Sequence, residues 1–255
     1  MGAAVGKTYA SEMRMGRVLQ TVKPLVPVGL KRPIKRAIPY RYHRLFDPEW
    51  HRRSIGNVKL WDTLGKLQFD YLVDRGLAPS HYFLDVGCGP LRGGMHFIRY
   101  LETGHYYGVD SNTPMLEETK RLELPRLGLT EKQPALVVME DFGFGRLNRQ
   151  FDYALAQSVF THLPLNNIIR CLMEMEKALV PGGEFYATIW ENERGKLNLD
   201  DINQTSSAVT HFDRDFFHYD VGTFEWICEG TDLSVEYLGD WKNPVNQKML
   251  VFRKA

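Results

Sequence analysis

Leu84-Asp85-Val86-Gly87-Cys88-Gly89-Pro90-Leu91-Arg92-Gly93-Gly94 is the stretch that decides the fold. The apolar run over residues 82–86 reads as a short buried strand, and Gly87-Cys88-Gly89 turns the chain directly after it. Pro90 suits the first turn of a helix reaching about Leu101. A strand feeding a glycine turn at the carboxyl edge of a parallel sheet marks where such sheets bind ligands. Gly87 and Gly89 have no side chains, so a ligand can approach the backbone there. Asp85 stands just before the turn, placed to accept from an amine. A second strand over 105–109 closes on Asp110, 25 residues beyond Asp85, where a carboxylate can take both hydroxyls of a ribose.

The same alternation extends in both directions. Upstream, Val58, Trp61, Leu64, Leu67 and Tyr71 recur at helical spacing over 58–75, and Gly76 stops that helix. Downstream, a helix over 113–127 opens on Thr113-Pro114, strands follow at 135–139 and 153–159, and Pro164 opens a helix with the stripe Ile168, Leu172, Met175 and Leu179. Pro181-Gly182-Gly183 ends that helix before a fifth strand over 184–190. A polar stretch over 191–210 precedes a helix near 213–229 and two closing strands at 234–238 and 249–253. Strands alternating with helices predict a parallel sheet covered on both faces. The last two strands lie too close in sequence for a parallel crossover and should pair antiparallel.

The chain has 255 residues, 44% hydrophobic and 25% charged, which suits one domain with a sizeable core. Its net charge of +1 hides an asymmetry: residues 1–53 carry 12 Lys/Arg against three acids, the remainder 20 against 28. The boundary is therefore expected at 53/54, with a basic, proline-interrupted arm before it. That arm reads first as a solvated and partly disordered segment. Its run Lys31-Arg32-Pro33-Ile34-Lys35-Arg36 could also touch an anionic membrane surface or an acidic glycan, and nucleic acid is disfavoured. Nothing reads as a membrane span or a signal peptide. Cys88, Cys171 and Cys228 are scattered, which argues against a disulfide framework or zinc site and for a reducing cytoplasm. Oligomeric state is left open.

The turn does not fit the dinucleotide fingerprint GxGxxG, because the third glycine comes one residue late. It resembles instead motif I of the class I S-adenosyl-L-methionine-dependent methyltransferases. Tyr107-Gly108-Val109-Asp110 is similar to their ribose motif, and Asp141-Phe142 to their adenine-flanking position. The segments at 156–163 and 179–183 are similar to their fourth- and fifth-strand blocks. The resemblance spans about residues 60–254. It implies an α/β, Rossmann-like, seven-stranded and mostly parallel sheet with helices on both faces and an antiparallel last strand. It also implies that Asp85, Gly87, Cys88 and Gly89 surround the amino-acid end of the cofactor, and that Asp110 with Ser111 holds the ribose. Asp141 and Phe142 would flank the adenine, with Gln157 beside the methionine portion. Gln68 would cover the cofactor, whereas Trp61 on the same helix is assigned to the core.

Methyl transfer to oxygen needs a proton acceptor near neutrality, which makes histidine the natural candidate. His162, directly after the fourth-strand loop, is the first choice and His218 the second. Relatives that methylate amines often carry an Asn/Asp-Pro-Pro-aromatic sequence where this chain reads Gln157-Ser158-Val159-Phe160. That departure favours O-methylation of a sugar, glycan or other hydroxylated small molecule. The rivals are an RNA or protein methyltransferase, a non-catalytic cofactor-binding scaffold and an NAD-linked oxidoreductase. Asp213, Asp215 and Asp220 show no oxygen-ligand spacing, so no metal is expected. The segment 191–210 sits where an insertion could close over substrate.

Overall fold

A computed structural model describes residues 50–53, 55, 58–193, 195, 199–206 and 208–255. Contacts divide the chain between Val58 and Lys59. In the first unit a helical turn spans Trp50–Arg53; the rest of the basic arm, with its proposed surface contact, lies outside the described residues.

The second unit is organised by seven strands: β1 (Phe83–Val86), β2 (Tyr106–Asp110), β3 (Ala135–Val138), β4 (Phe151–Ala156), β5 (Leu179–Ile189), β8 (Leu233–Asp240) and β9 (Lys248–Lys254). A separate hairpin, β6 (Ile202–Thr205) and β7 (Ala208–Thr210), lies between β5 and the last helix. The sheet order is β3-β2-β1-β4-β5-β9-β8. Strands β1 to β5 are parallel, and β9 runs antiparallel to both β5 and β8. The order reverses between β1 and β4, and the crevice outside the carboxyl ends of such strands is where open α/β sheets take ligands.

Among the described residues the longer helices flanking the strands are α1 (Trp61–Asp74), α2 (Gly94–Tyr100), α3 (Thr113–Glu118), α4 (Leu165–Ala178) and α5 (Val221–Cys228). Helix α1 buries Trp61, Leu64, Gly65, Gln68 and Leu72, so Trp61 is indeed a core residue. The amides of Gly76 and Leu77 donate back to Val73 and Leu72, and Gly76, at φ +101°, ends the helix as expected. Val58 differs from the expected stripe: it belongs to a 3-10 turn, Val58–Leu60, and is exposed. Helix α3 passes through a π turn, Thr119–Glu123, into a last turn at Leu124–Arg126.

Helix α4 buries Ile168, Cys171, Leu172 and Met175 completely, each of the larger side chains contributing about 1.5–3 kcal/mol. Under α4 and α5, Phe160 stacks on Phe224 and Phe185 on Phe252. Elsewhere Phe83 stacks on Phe97 at 4.3 Å, joining β1 to α2.

Four expectations need correction. Helix α2 starts at Gly94, not near Pro90, because Leu91 adopts φ +65° and holds residues 89–93 in a loop. The last helix starts at Val221, not near 213. Asp220 caps it by accepting from the Gly222 amide at 2.7 Å, while 212–216 forms a bend closed by the His211–Phe217 bridge and Tyr219 bridges to Glu191. The polar stretch before it is not a plain loop, since it contains the β6–β7 hairpin. Strand β5 also begins five residues earlier than expected, at Leu179.

Candidate active site

Parallel pairing sets Val86 beside Val109, so the turn after β1 and the acid ending β2 are neighbours. The amides of Gly87 and Cys88 both donate to the Val109 carbonyl, at 2.8 and 3.1 Å. The Gly89 amide donates to Asp110 Oδ2 at 2.9 Å, and the Asn112 amide to Oδ1 at 2.8 Å. One backbone donor on each oxygen fixes the carboxylate plane and leaves each oxygen further acceptor capacity. Burial raises the Asp110 pKa, and the two amides oppose that rise. Gly87 sits at φ +72°, and a Cβ there would lie 2.5 Å from Val159 Cγ2. The turn after β1 therefore packs directly on the loop after β4. Cys88 is buried against Gly108, and burial pushes its thiol up. Ser111 is exposed beside Asp110.

Asp85 is buried and accepts from Tyr106 Oη at 2.6 Å. Burial pushes its pKa up to about 7; the tyrosine hydroxyl and Arg92 pull it down, and the Asp110 charge adds to the rise. Arg92 lies inside the glycine turn, where burial lowers its pKa to about 10 against the attraction of Asp85. Its Nε is buried without a hydrogen-bond partner, as is Gln68 Nε2. Gln68 Oε1 occupies the space that a Gly93 side chain would need, so α1 places Gln68 on the turn itself.

Gln157, just past β4, is buried and donates from Nε2 to Ser158 Oγ at 2.7 Å and to Gln247 Oε1 at 2.9 Å. Ser158 Oγ and Thr188 Oγ1 also donate to Gln247 Oε1. With its amide nitrogen engaged, Gln157 keeps a buried Oε1 that has no hydrogen-bond partner. Asp141, by contrast, is exposed and paired with Arg146, which holds its carboxyl below the usual range. Phe142 is half-buried with its ring edge-on to Phe144.

His162 ends the 3-10 turn Phe160–His162, three residues past Val159. Its Nδ1 is 2.8 Å from Asp215 Oδ1, and its ring meets Phe216 edge-on at 4.7 Å. His218 is buried, with Nδ1 3.0 Å from Thr210 Oγ1, and lines a cavity of about 370 Å³ beside the start of α4. The two histidines are thus placed differently: His162 is half-exposed on the β4 loop, whereas His218 is an interior residue of the insertion. Among the described residues no group of three His, Cys, Asp or Glu could hold a metal ion, and no helix is long and apolar enough to cross a membrane.

Residues 84–185 match the family model for a methyltransferase domain. The seven-stranded sheet around them, with its reversed last strand, has the class I methyltransferase fold. The probable methyltransferase ltbC of Aspergillus luteorubrus is 26% identical over 109 residues, 41% of this chain and 38% of that protein. The chain therefore matches well under half the length of that curated relative. The solved structure of magnesium protoporphyrin IX methyltransferase from Synechocystis with bound S-adenosylmethionine shares the fold. Its TM-score is 0.57, at 15% identity over 82% of this chain and 90% of that one. Streptomyces venezuelae DesVI aligns with a TM-score of 0.54, at 21% identity over 79% of this chain and 95% of that one.

The fold brings Asp85, Gly87, Gly89, Asp110 and Gln68 together around one turn. Val159 on Gly87 ties the loop that carries Gln157 and His162 to the same place. Arg92, Tyr106 and Gln247 escaped the sequence reading, and Asp215 was weighed there only as a metal ligand, not as the partner of His162. Arg92 stands in plain view within the glycine turn, and a cation so placed was a readable signal. Tyr106, Asp215 and Gln247 act across 21, 53 and 90 residues of chain, and no local pattern announces them.

Proposed function

We propose that the chain is an S-adenosylmethionine-dependent O-methyltransferase acting on a sugar, glycan or other hydroxylated small molecule. The single observation that carries the oxygen assignment is the His162–Asp215 pair on the loop that packs against the glycine turn.

The residues around the turn fit the cofactor. Asp110 keeps acceptor capacity for a ribose diol, and the left-handed Gly87 and Gly89 leave backbone bare beside it. Buried Asp85 and the free Gln157 Oε1 present acceptors suited to a cationic amino-acid end. Gln68 Nε2 and Arg92 Nε offer donors for its carboxylate. When bound, S-adenosylmethionine supplies an electrophilic methyl group whose sulfur departs with the bonding electron pair as S-adenosylhomocysteine.

The protein's own part is orientation and proton removal. With Asp215 accepting from Nδ1–H, the His162 tautomer is set with a lone pair on Nε2. Nε2 takes the acceptor hydroxyl proton as the oxygen forms its new bond to carbon, and the imidazolium is stabilised by the Asp215 carboxylate. Incubating the full chain with methyl-labelled S-adenosylmethionine and a panel of hydroxylated acceptors tests this. Label should appear as an alkali-stable methyl ether on a hydroxylated acceptor. Label found only in amines, RNA or protein would refute it.

A further inference from the structure

We infer that the cavity of about 370 Å³ between the start of α4 and the segment 212–220 is the acceptor subsite, and that it takes a neutral or amino-bearing sugar ring, not a phosphorylated or nucleotide-linked one. The inference deepens the O-methyltransferase reading and rests on it. Three features carry it.

The first is placement. Phe217 donates its amide to the Thr161 carbonyl at 2.8 Å, and Tyr219 Oη donates to the Leu163 carbonyl at 2.5 Å. Tyr219 also exchanges backbone hydrogen bonds with Trp190 and Asn192 at the exit of β5. The cavity wall is therefore built on the two residues flanking His162 and on the strand end beside it. The wall segment also contains Asp215, the partner of His162.

The second is surface chemistry. Phe212 lines the cavity and is 48% exposed, a large ring left facing solvent. Phe217 and Tyr219 line it too and stack on each other at 6.1 Å. Aromatic faces beside Asn192, Asp213 and Thr223 offer stacking for a ring's C–H face and hydrogen bonds for its hydroxyls. The third is charge. Asp213 and Asp220 line the cavity, and among the described residues no Lys or Arg does. Asp213 is paired with Arg214 at 3.2 Å and Asp220 accepts the Gly222 amide, so with no lining cation among the described residues the cavity offers acceptors that suit a hydroxyl or an ammonium better than a phosphate.

Saturation-transfer NMR on the full chain with S-adenosylhomocysteine tests the site, using methyl glucopyranoside, glucosamine and glucose 6-phosphate as probes. Transfer to the ring protons of the first two and not the third is expected. Phe212→Ala, at an exposed position, should weaken that binding about tenfold while calorimetry shows S-adenosylhomocysteine affinity unchanged. No transfer to any pyranoside, preference for the phosphate, or binding indifferent to Phe212→Ala would overturn the inference. If the sugars bind and no hydroxyl is ever methylated, the O-methyltransferase reading fails and the sugar site stands. If a hydroxyl is methylated with kinetics unaffected by Phe212→Ala, the sugar site fails and that reading stands.

Discussion

His162 Nδ1 lies 2.8 Å from Asp215 Oδ1, a pairing that closes 53 residues of chain around the end of β4. Both side chains are about half exposed, so the pair adds little to stability and its value is chemical. His162→Ala should lower turnover by on the order of 10²–10⁴-fold with S-adenosylmethionine affinity unchanged. Asp215→Asn should lower it less, because Nε2 survives and only its tautomer control is lost. Parallel measurement of kcat and cofactor affinity checks both, and near-normal turnover of His162→Ala would remove it from the chemistry.

Gly87 has two reasons to be glycine. Its φ of +72° disfavours a side chain, and a Cβ would lie 2.5 Å from Val159 Cγ2. Gly104, at φ +80° with nothing within 4 Å, has only the first. Gly104→Ala should therefore cost about 1–2 kcal/mol, the left-handed penalty alone. Gly87→Ala should cost more and also weaken cofactor binding, because Val159 or the turn must move. Chemical denaturation of both variants with calorimetry checks this, and equal destabilisation would contradict the packing of the two loops.

Asp85 gives the folded protein an unusual pH dependence. Its carboxyl titrates near 7 in the folded chain because it is buried, against the ordinary 3.8 when unfolded. Between about pH 4 and 7 the folded state holds a proton that the unfolded state has lost. This group's contribution to stability therefore falls as pH rises through that window and levels off above it. Asp85→Asn should flatten that fall and be relatively more stable at pH 8. A cationic ligand group favours ionised Asp85, so cofactor binding near pH 6 should release a proton. Unfolding at pH 5 and 8, with calorimetry in two buffers of different ionisation enthalpy, measures both effects. Parallel wild-type and Asp85→Asn stability profiles would contradict this.

The glycine turn, Asp110 and the sheet's reversed last strand were legible because each depends on local pattern: a strand running into glycines, an acid ending the next strand, a connection too short for a crossover. The start of α2 was not, because Pro90 carries a helix-opening signal that left-handed Leu91 overrides. The aromatic run Phe216-Phe217-His218-Tyr219 reads as a helix face, yet backbone bonds to Thr161 and Trp190, partners remote in sequence, hold it out of a helix. The β6–β7 hairpin lacked an apolar alternation to reveal it, since Asn203, Gln204, Thr205 and Thr210 are polar. For the same reason the wall of the cavity beside α4 could be guessed only as part of a long polar insertion.

The most direct test of the account is calorimetric titration of S-adenosylmethionine into the full chain and into Asp110→Ala, with thermal unfolding of both. Hydrogen bonds to a charged group contribute roughly 1.5–3 kcal/mol each, so losing the ribose contacts should weaken binding at least tenfold. Asp110→Asn, which keeps an acceptor for the Gly89 or Asn112 amide, should fall between the two. One-site binding to the wild type with that ordering is the predicted result. No binding to the wild type, or equal affinity for a folded Asp110→Ala, would contradict the claim that the turn after β1 and the acid ending β2 hold the cofactor.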